Sequence, residues 1–302
     1  MFRATAPPRI SYEELELRTT DGAVLHAKVD DPADGAPRGT AIHLHPLGAR
    51  GDAFGGRDRP GLARALAARG LRTVALDLRG HGASTAPRPD FGYDDLVRTD
   101  VPAIVEACRA SGQGPVVVVG HALGGHAALA SQGCGHAAAD AIVTLGADVW
   151  LRALEPSALR WEAKRALARS LLAIAAARGH LPARRLRIGT DDVPARLLLD
   201  LFAGIEDGTW RSADRRDDYL EALPRVAVPV AAVLGMRDRI LCHPASGEAF
   251  ARLAGGPVRV LATPHGHRAL VSSPRARGVV IEAVEWALAT RAEGTADACA
   301  RA

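Results

Sequence analysis

Eleven histidines stand in this 302-residue sequence, and seven of them (43, 45, 121, 126, 243, 265 and 267) invite one question, because imidazoles gathered at a pocket act as bases or ligate metal. Zinc would need more than imidazole, and no acidic or sulfur residues accompany these histidines at a recognisable spacing. No metal is expected. Cys108, Cys134, Cys242 and Cys299 are scattered without a CxxC pair, so neither a zinc site nor a disulfide framework is written in them. The strongest local signal is Val116-Val117-Val118-Val119-Gly120-His121-Ala122-Leu123-Gly124-Gly125-His126, a β-branched run passing through a glycine-flanked turn into an alanine-rich stretch. Small residues at 120, 124 and 125 suit a tight turn with close-packed neighbours. Taken alone, the turn could also cradle a phosphate. Dinucleotide binding fails, because the turn follows a strand late in the order and no acidic residue ends the next one. No cofactor is expected.

The elements that must position these residues follow from periodicity. Thr40 to His45, Leu71 to Leu78, Pro115 to Gly120, Ala141 to Leu145, Pro229 to Gly235 and Pro257 to Ala262 are continuous apolar runs, as strands buried on both faces should be. Glu14 to Thr19 and Ala23 to Val29, separated by Thr20-Asp21-Gly22, read as an antiparallel hairpin at the sheet edge. Helical patterns lie between: Leu62 with Leu66 closing at Gly70, Asp94 to about Cys108, Ala122 to about Ser131, and a last helix carrying Val280, Val284 and Leu288. The expected class is α/β: a mostly parallel central sheet of about eight strands with helices on both faces. From Trp150 to Leu223 the alternation stops and amphipathic stretches such as Leu167, Leu171 and Ile174 take over. The predicted organisation is a core of residues 1–149 and 224–291, a helical insertion at 150–223 placed to cap the carboxyl ends of the strands, and a flexible tail at 292–302. Trp150, Trp161, Phe202, Trp210 and Tyr219 in the insertion suit either an apolar acyl pocket or plain packing.

Composition bounds the rest. A hydrophobic fraction of 48% supplies a large core and excludes a disordered or fibrous chain. The net charge of +4 is carried almost wholly by arginines interleaved with acids and alanines, which does not make a nucleic-acid surface. No run of 18 uncharged apolar residues exists and the first twenty residues lack the apolar stretch of a secretory signal, so a soluble cytoplasmic protein without a membrane span is expected.

Together these motifs resemble the α/β-hydrolase fold superfamily. The turn at 120–124 resembles its nucleophile elbow, G-x-S-x-G, with Ala122 where serine usually stands. Asp77-Leu78-Arg79-Gly80-His81-Gly82-Ala83-Ser84 looks like the family's D-x-R-G-x-G-x-S turn, one strand earlier. His43-Leu44-His45-Pro46-Leu47-Gly48 stands where the family carries its oxyanion loop; Pro46 replaces the usual glycine, but the donor there is the following residue, Leu47. The resemblance implies an oxyanion hole formed by the amides of Leu47 and Leu123. Gly235-Met236-Arg237-Asp238 matches the family's G-x-x-D, implying Asp238 as the acid. In Pro264-His265-Gly266-His267 the base usually follows glycine, which implies His267 rather than His265. Within the insertion, Leu181 to Gly189 with Asp192 and Pro194 is similar to the cap of a bacterial branch of serine esterases.

The implied activity is hydrolysis of ester-like small molecules, yet alanine has no group with which to attack a carbonyl. Ser131 and Cys134 lie helical turns beyond the elbow and Ser84 belongs to another loop, so none replaces the nucleophile. Three accounts stay open. His267, held by Asp238, activates water directly; or the pair serves as general base in lyase or oxygenase chemistry; or the protein is a binding or regulatory homologue without turnover, or a chain from which the serine has been substituted. Oligomeric state is not legible.

Overall fold

The computed structural model describes residues 11–55 and 61–301. Strands β1 (Ser11–Arg18), β2 (Val24–Asp31), β3 (Thr40–Leu44), β4 (Arg72–Asp77), β5 (Val116–His121), β6 (Ala141–Leu145), β9 (Val230–Gly235) and β10 (Val258–Thr263) form one sheet in the order β1-β2-β4-β3-β5-β6-β9-β10. The pairs β1/β2 and β2/β4 are antiparallel and all later pairs are parallel. The edge hairpin turns where Thr20-Asp21-Gly22 predicted, with Gly22 at φ 92°. Its first strand begins at Ser11, three residues ahead of the expected Glu14, because Ser11 still finds a backbone partner in Asp31.

Side-chain alternation divides the core between the two faces of the sheet. On β5, Val116 and Val118 pack with Ile104, Val105 and Leu129 from helices α3 (Val101–Ala110) and α4 (Leu123–Gly133). Val117 and Val119 pack on the other face with Leu62 and Leu66 of α1 (Leu62–Ala67) and with Val280, Val284 and Leu288 of α10 (Pro274–Arg301). The helix expected from Asp94 onward is a short turn, α2 (Tyr93–Asp95), then a π-helical turn over Leu96–Asp100, then α3. The π turn ends at Asp100, whose buried carboxylate accepts from Arg79 Nε at 2.9 Å and Nη2 at 2.6 Å. The D-x-R-G turn is therefore a structural clamp: Arg79 also reaches Asp21 at 2.7 Å, and Asp77 accepts from the Gly51 and Ala83 amides.

Between β6 and β9 lies the insertion, made of α5 (Ala158–Arg178), the two-residue strands β7 (His180–Leu181) and β8 (Val193–Pro194), α6 (Ala195–Phe202) and α7 (Tyr219–Ala222). Ser157 Oγ caps α5 by accepting from the Arg160 amide, and Gly179 at φ 73° ends it. The β7/β8 pair corrects the expectation of a purely helical insertion; two residues per strand are too few to show a period of two. Residues 292–301, expected as a flexible tail, continue α10 in helical conformation, in keeping with the four alanines in that run. Pro244–Ala251 forms α8 and Ala269–Ser272 forms α9. Among the described residues no helix is long and apolar enough to cross a membrane.

Candidate active site

Ala122 sits between β5 and α4 at φ 46°, ψ −110°, a conformation that side chains rarely adopt and that carries about 1–3 kcal/mol of strain. The surrounding glycines hold it there. A Cβ on Gly120 would run into the Gly124–Gly125 backbone, one on Gly124 into the Leu44 carbonyl oxygen, and one on Gly125 would lie 2.8 Å from Ala147 Cβ. Backbone cannot give way here as the end of a flexible side chain could. Gly124→Ala is therefore expected to lose several kcal/mol of stability, read as a fall in the denaturant midpoint. A midpoint within error of the parent would show that β3 and α4 can separate freely.

His267 and Asp238 approach from the carboxyl ends of β10 and β9. The His267 Nδ1–H donates to Asp238 Oδ2 at 2.5 Å. Asp238 is itself fixed, its Oδ1 accepting from the Leu241 amide at 3.1 Å and its Oδ2 from the Cys242 amide at 3.0 Å. With Nδ1 engaged, Nε2 is the nitrogen left for proton transfer. His265, the other candidate, has no hydrogen bond to Asp238 among the described residues; its carbonyl accepts from the Arg237 amide. His121 packs against His267 with ring centroids 4.6 Å apart. Full burial, with His267 close by, holds the His121 imidazole well below its usual range, so it is neutral.

Leu47 and Leu123 flank this pair. Leu123 opens α4, so its amide has no intrahelical acceptor, and among the described residues neither amide donates to another protein group. His45 braces the Leu47 loop: its Nε2 accepts from the Leu78 amide at 3.0 Å, which makes Nδ1 the donor to the Pro46 carbonyl at 2.8 Å. Burial lowers the His45 pKa to about 3. Of the other histidines, His243 accepts from the Ala245 amide at 3.2 Å, whereas both buried ring nitrogens of His43 have no hydrogen-bond partner among the described residues. His43 packs on Phe54 with centroids 4.8 Å apart, and His126 bonds the Tyr93 hydroxyl at 2.8 Å. Among the described residues, Cys134, His136 and Asp217 form the one group spaced like metal ligands; Asp217 is already held by Arg98 at 2.7 Å, and burial lifts the Cys134 thiol to about 11, its protonated state.

Pro46, Leu47, His121, Ala122, Leu123 and His267 line one cavity of about 340 Å³, whose far wall comes from the insertion through Leu167, Leu171, Leu181, Leu201 and Phe202. Of the five aromatic residues considered in the insertion, Trp150, Phe202 and Trp210 reach this cavity. Trp161 packs within the insertion, and Tyr219 bonds Asp94 through its hydroxyl at 2.6 Å.

Sequence reasoning missed the Asp148 group. Asp148 lines the cavity just past β6 and accepts from Lys164 Nζ at 3.0 Å; Lys164 lies 3.4 Å from Glu155, which in turn meets Arg160 and Ser246. Burial pushes the Asp148 carboxyl up to about 6, against the pull of Lys164. One signal was present: the chain has only two lysines among its 38 basic residues, and Lys164 is one of them.

A strained turn after the central strand and a histidine held by an aspartate, beside two amides that have no protein acceptor among the described residues, are arranged as in proteins of the α/β-hydrolase class. The sequence matches the alpha/beta hydrolase family over residues 41–279, and the chain belongs to that family. No curated protein sequence matches the chain. Among solved structures it is similar to a hydrolase from Pseudomonas aeruginosa (22% identity, TM-score 0.59, covering 91% of this chain and 98% of that one). It is also similar to an esterase from Exiguobacterium antarcticum (17%, 0.61, 90% and 98%) and to a monoacylglycerol lipase from Paleococcus ferrophilus (15%, 0.58, 92% and 99%). At these identities the likeness is one of fold.

Proposed function

We propose that the protein binds small esters with an apolar acyl part and hydrolyses them slowly by direct attack of water, with His267 as general base. The observation that carries this reading is the 2.5 Å contact between His267 Nδ1 and Asp238, maintained beside an elbow that keeps its strain without a nucleophile. His267 Nε2 would take a proton from water as the resulting hydroxide adds to the ester carbonyl. Asp238 would orient the imidazole and stabilise its charged form. The Leu47 and Leu123 amides would donate to the oxyanion, and the proton on His267 would pass to the departing alcohol or thiol as the acyl–heteroatom bond breaks. Water and ester thus give acid and alcohol or thiol with no further reactant. The insertion would act as a cap, since its leucines and Phe202 supply the wall against which an acyl chain packs.

A panel of p-nitrophenyl esters of increasing chain length tests this. The parent is expected to exceed His267→Ala and Asp238→Asn by about 10²-fold or more, all three being equally folded, with His265→Ala near the parent. Equal rates in the parent and His267→Ala would overturn the hydrolytic reading. A non-catalytic binding role, favoured by the alanine at 122, would then stand in its place.

A further inference from the structure

A second cavity, of about 960 Å³, adjoins the first, and both are lined by Pro46, Leu47, His121, Ile188 and Arg268. The two therefore meet where the Leu47 amide would hold an ester carbonyl. Their walls differ in kind. The smaller is mainly leucine and aromatic, with Asp148 and the shared Arg268, whereas the larger carries Lys28, Arg50 and Arg187 as well, with Asp52 the single lining carboxylate among the described residues. Arg50 is neutralised by Asp191, which its Nε and Nη2 meet at 2.5 and 2.6 Å. Lys28 and Arg187 have no carboxylate partner among the described residues, and Arg268 donates to the Ile188 carbonyl at 3.2 Å. Lys28 is the second of the two lysines in a chain that otherwise uses arginine for its cations.

We propose that this basic chamber receives the leaving half of the substrate, and that this half is anionic, of the phosphate-ester class. The inference rests on the acyl-ester reading above and extends it. An acyl chain seated among Leu167, Leu171 and Phe202 leaves the far side of the carbonyl facing the basic wall. Cations that lack counter-ions in a cleft raise the local concentration of anions, and guanidinium groups match phosphate oxygens two at a time. The chamber's volume also suits a group larger than a simple alcohol.

Binding to the protein itself tests the proposal, read by quenching of Trp150 and Trp210, which line the apolar chamber. Octanoyl glycerol and octanoyl glycerol phosphate differ only in the phosphate, and octanoyl glycolate carries a carboxylate instead. The phosphate ester is expected to bind roughly tenfold more tightly than the neutral one at low salt, and to lose that advantage at high salt. Lys28→Met combined with Arg187→Gln should erase the difference while leaving octanoyl glycerol as it was, because neither residue lines the apolar chamber. Equal binding of neutral and phosphate esters, with both bound, would overturn the basic-chamber proposal alone. Tighter binding of the glycolate would overturn the phosphate class. Failure of every ester to bind would overturn the acyl-ester reading beneath it. The salt dependence of the parent decides the matter even if the double variant does not fold.

Discussion

Ala122→Ser is expected to convert the protein into a species labelled at residue 122 by a fluorophosphonate and to raise ester hydrolysis on the order of 10³-fold or more. The backbone at 122 already holds the strained angles, so the serine adds an oxygen without asking for a new turn. That hydroxyl would face a histidine whose Nδ1 is committed to Asp238, leaving Nε2 to accept its proton. The developing oxyanion would meet the Leu47 and Leu123 amides, and such donors are worth about 3–4 kcal/mol each when preorganised. Labelling should vanish in the Ala122→Ser, His267→Ala double variant, and the parent should not label. A folded serine variant that resists the probe would mean that the site has drifted beyond the loss of one atom, and the binding role would gain by it.

Stability should collapse as pH falls from 7 to 5. Burial lowers His43, His45 and His126 each to about 3, and His121 well below its usual range. The unfolded chain protonates them near 6.5, so between about pH 6.5 and 3 it binds more protons than the folded one. The stabilisation is complete above 6.5 and is lost as pH falls. At pH 5 each of the three forfeits roughly 2 kcal/mol, roughly 6 kcal/mol in all, which rivals the whole stability of an ordinary domain. Asp148 and Asp100, each raised by burial to about 6, and Asp30 and Asp200, raised as well, work in the opposite direction; the first two return roughly 1 kcal/mol each at pH 5, which leaves the histidines dominant. Denaturant midpoints measured at pH 7.5 and pH 5 check this, and midpoints that agree would show that these imidazoles meet solvent in the folded state.

Most of the sheet is legible in the sequence, because parallel strands buried on both faces leave unbroken apolar runs bounded by turn residues. The six parallel strands fall within one or two residues of the runs from Thr40 to Ala262. The elbow was equally plain, since glycines at 120, 124 and 125 answer to a steric demand that is local in the chain. Asp238 and His267 were legible only through their resemblance to a family pattern. They lie 29 residues apart, and nothing in periodicity says that two adjacent strands will bring their loops together. The insertion was recognised by what it lacked, and its two-residue strands were too short to leave a signal.

By itself, then, the sequence determined the elements, their class and the glycine-framed turn around Ala122, for these depend on the identity and near spacing of residues. The tertiary structure alone decided which charges meet. It placed Lys164 between Asp148 and Glu155, closed Arg79 on Asp100, set His45 as a brace instead of a ligand, and gathered Lys28, Arg187 and Arg268 on one wall. The partners among these are 9 to 33 residues apart, and the three cations of the wall lie still farther from one another in the chain. Their pairing is fixed by how the helices and loops pack over the sheet, and only burial makes each unpaired charge costly enough to select its partner.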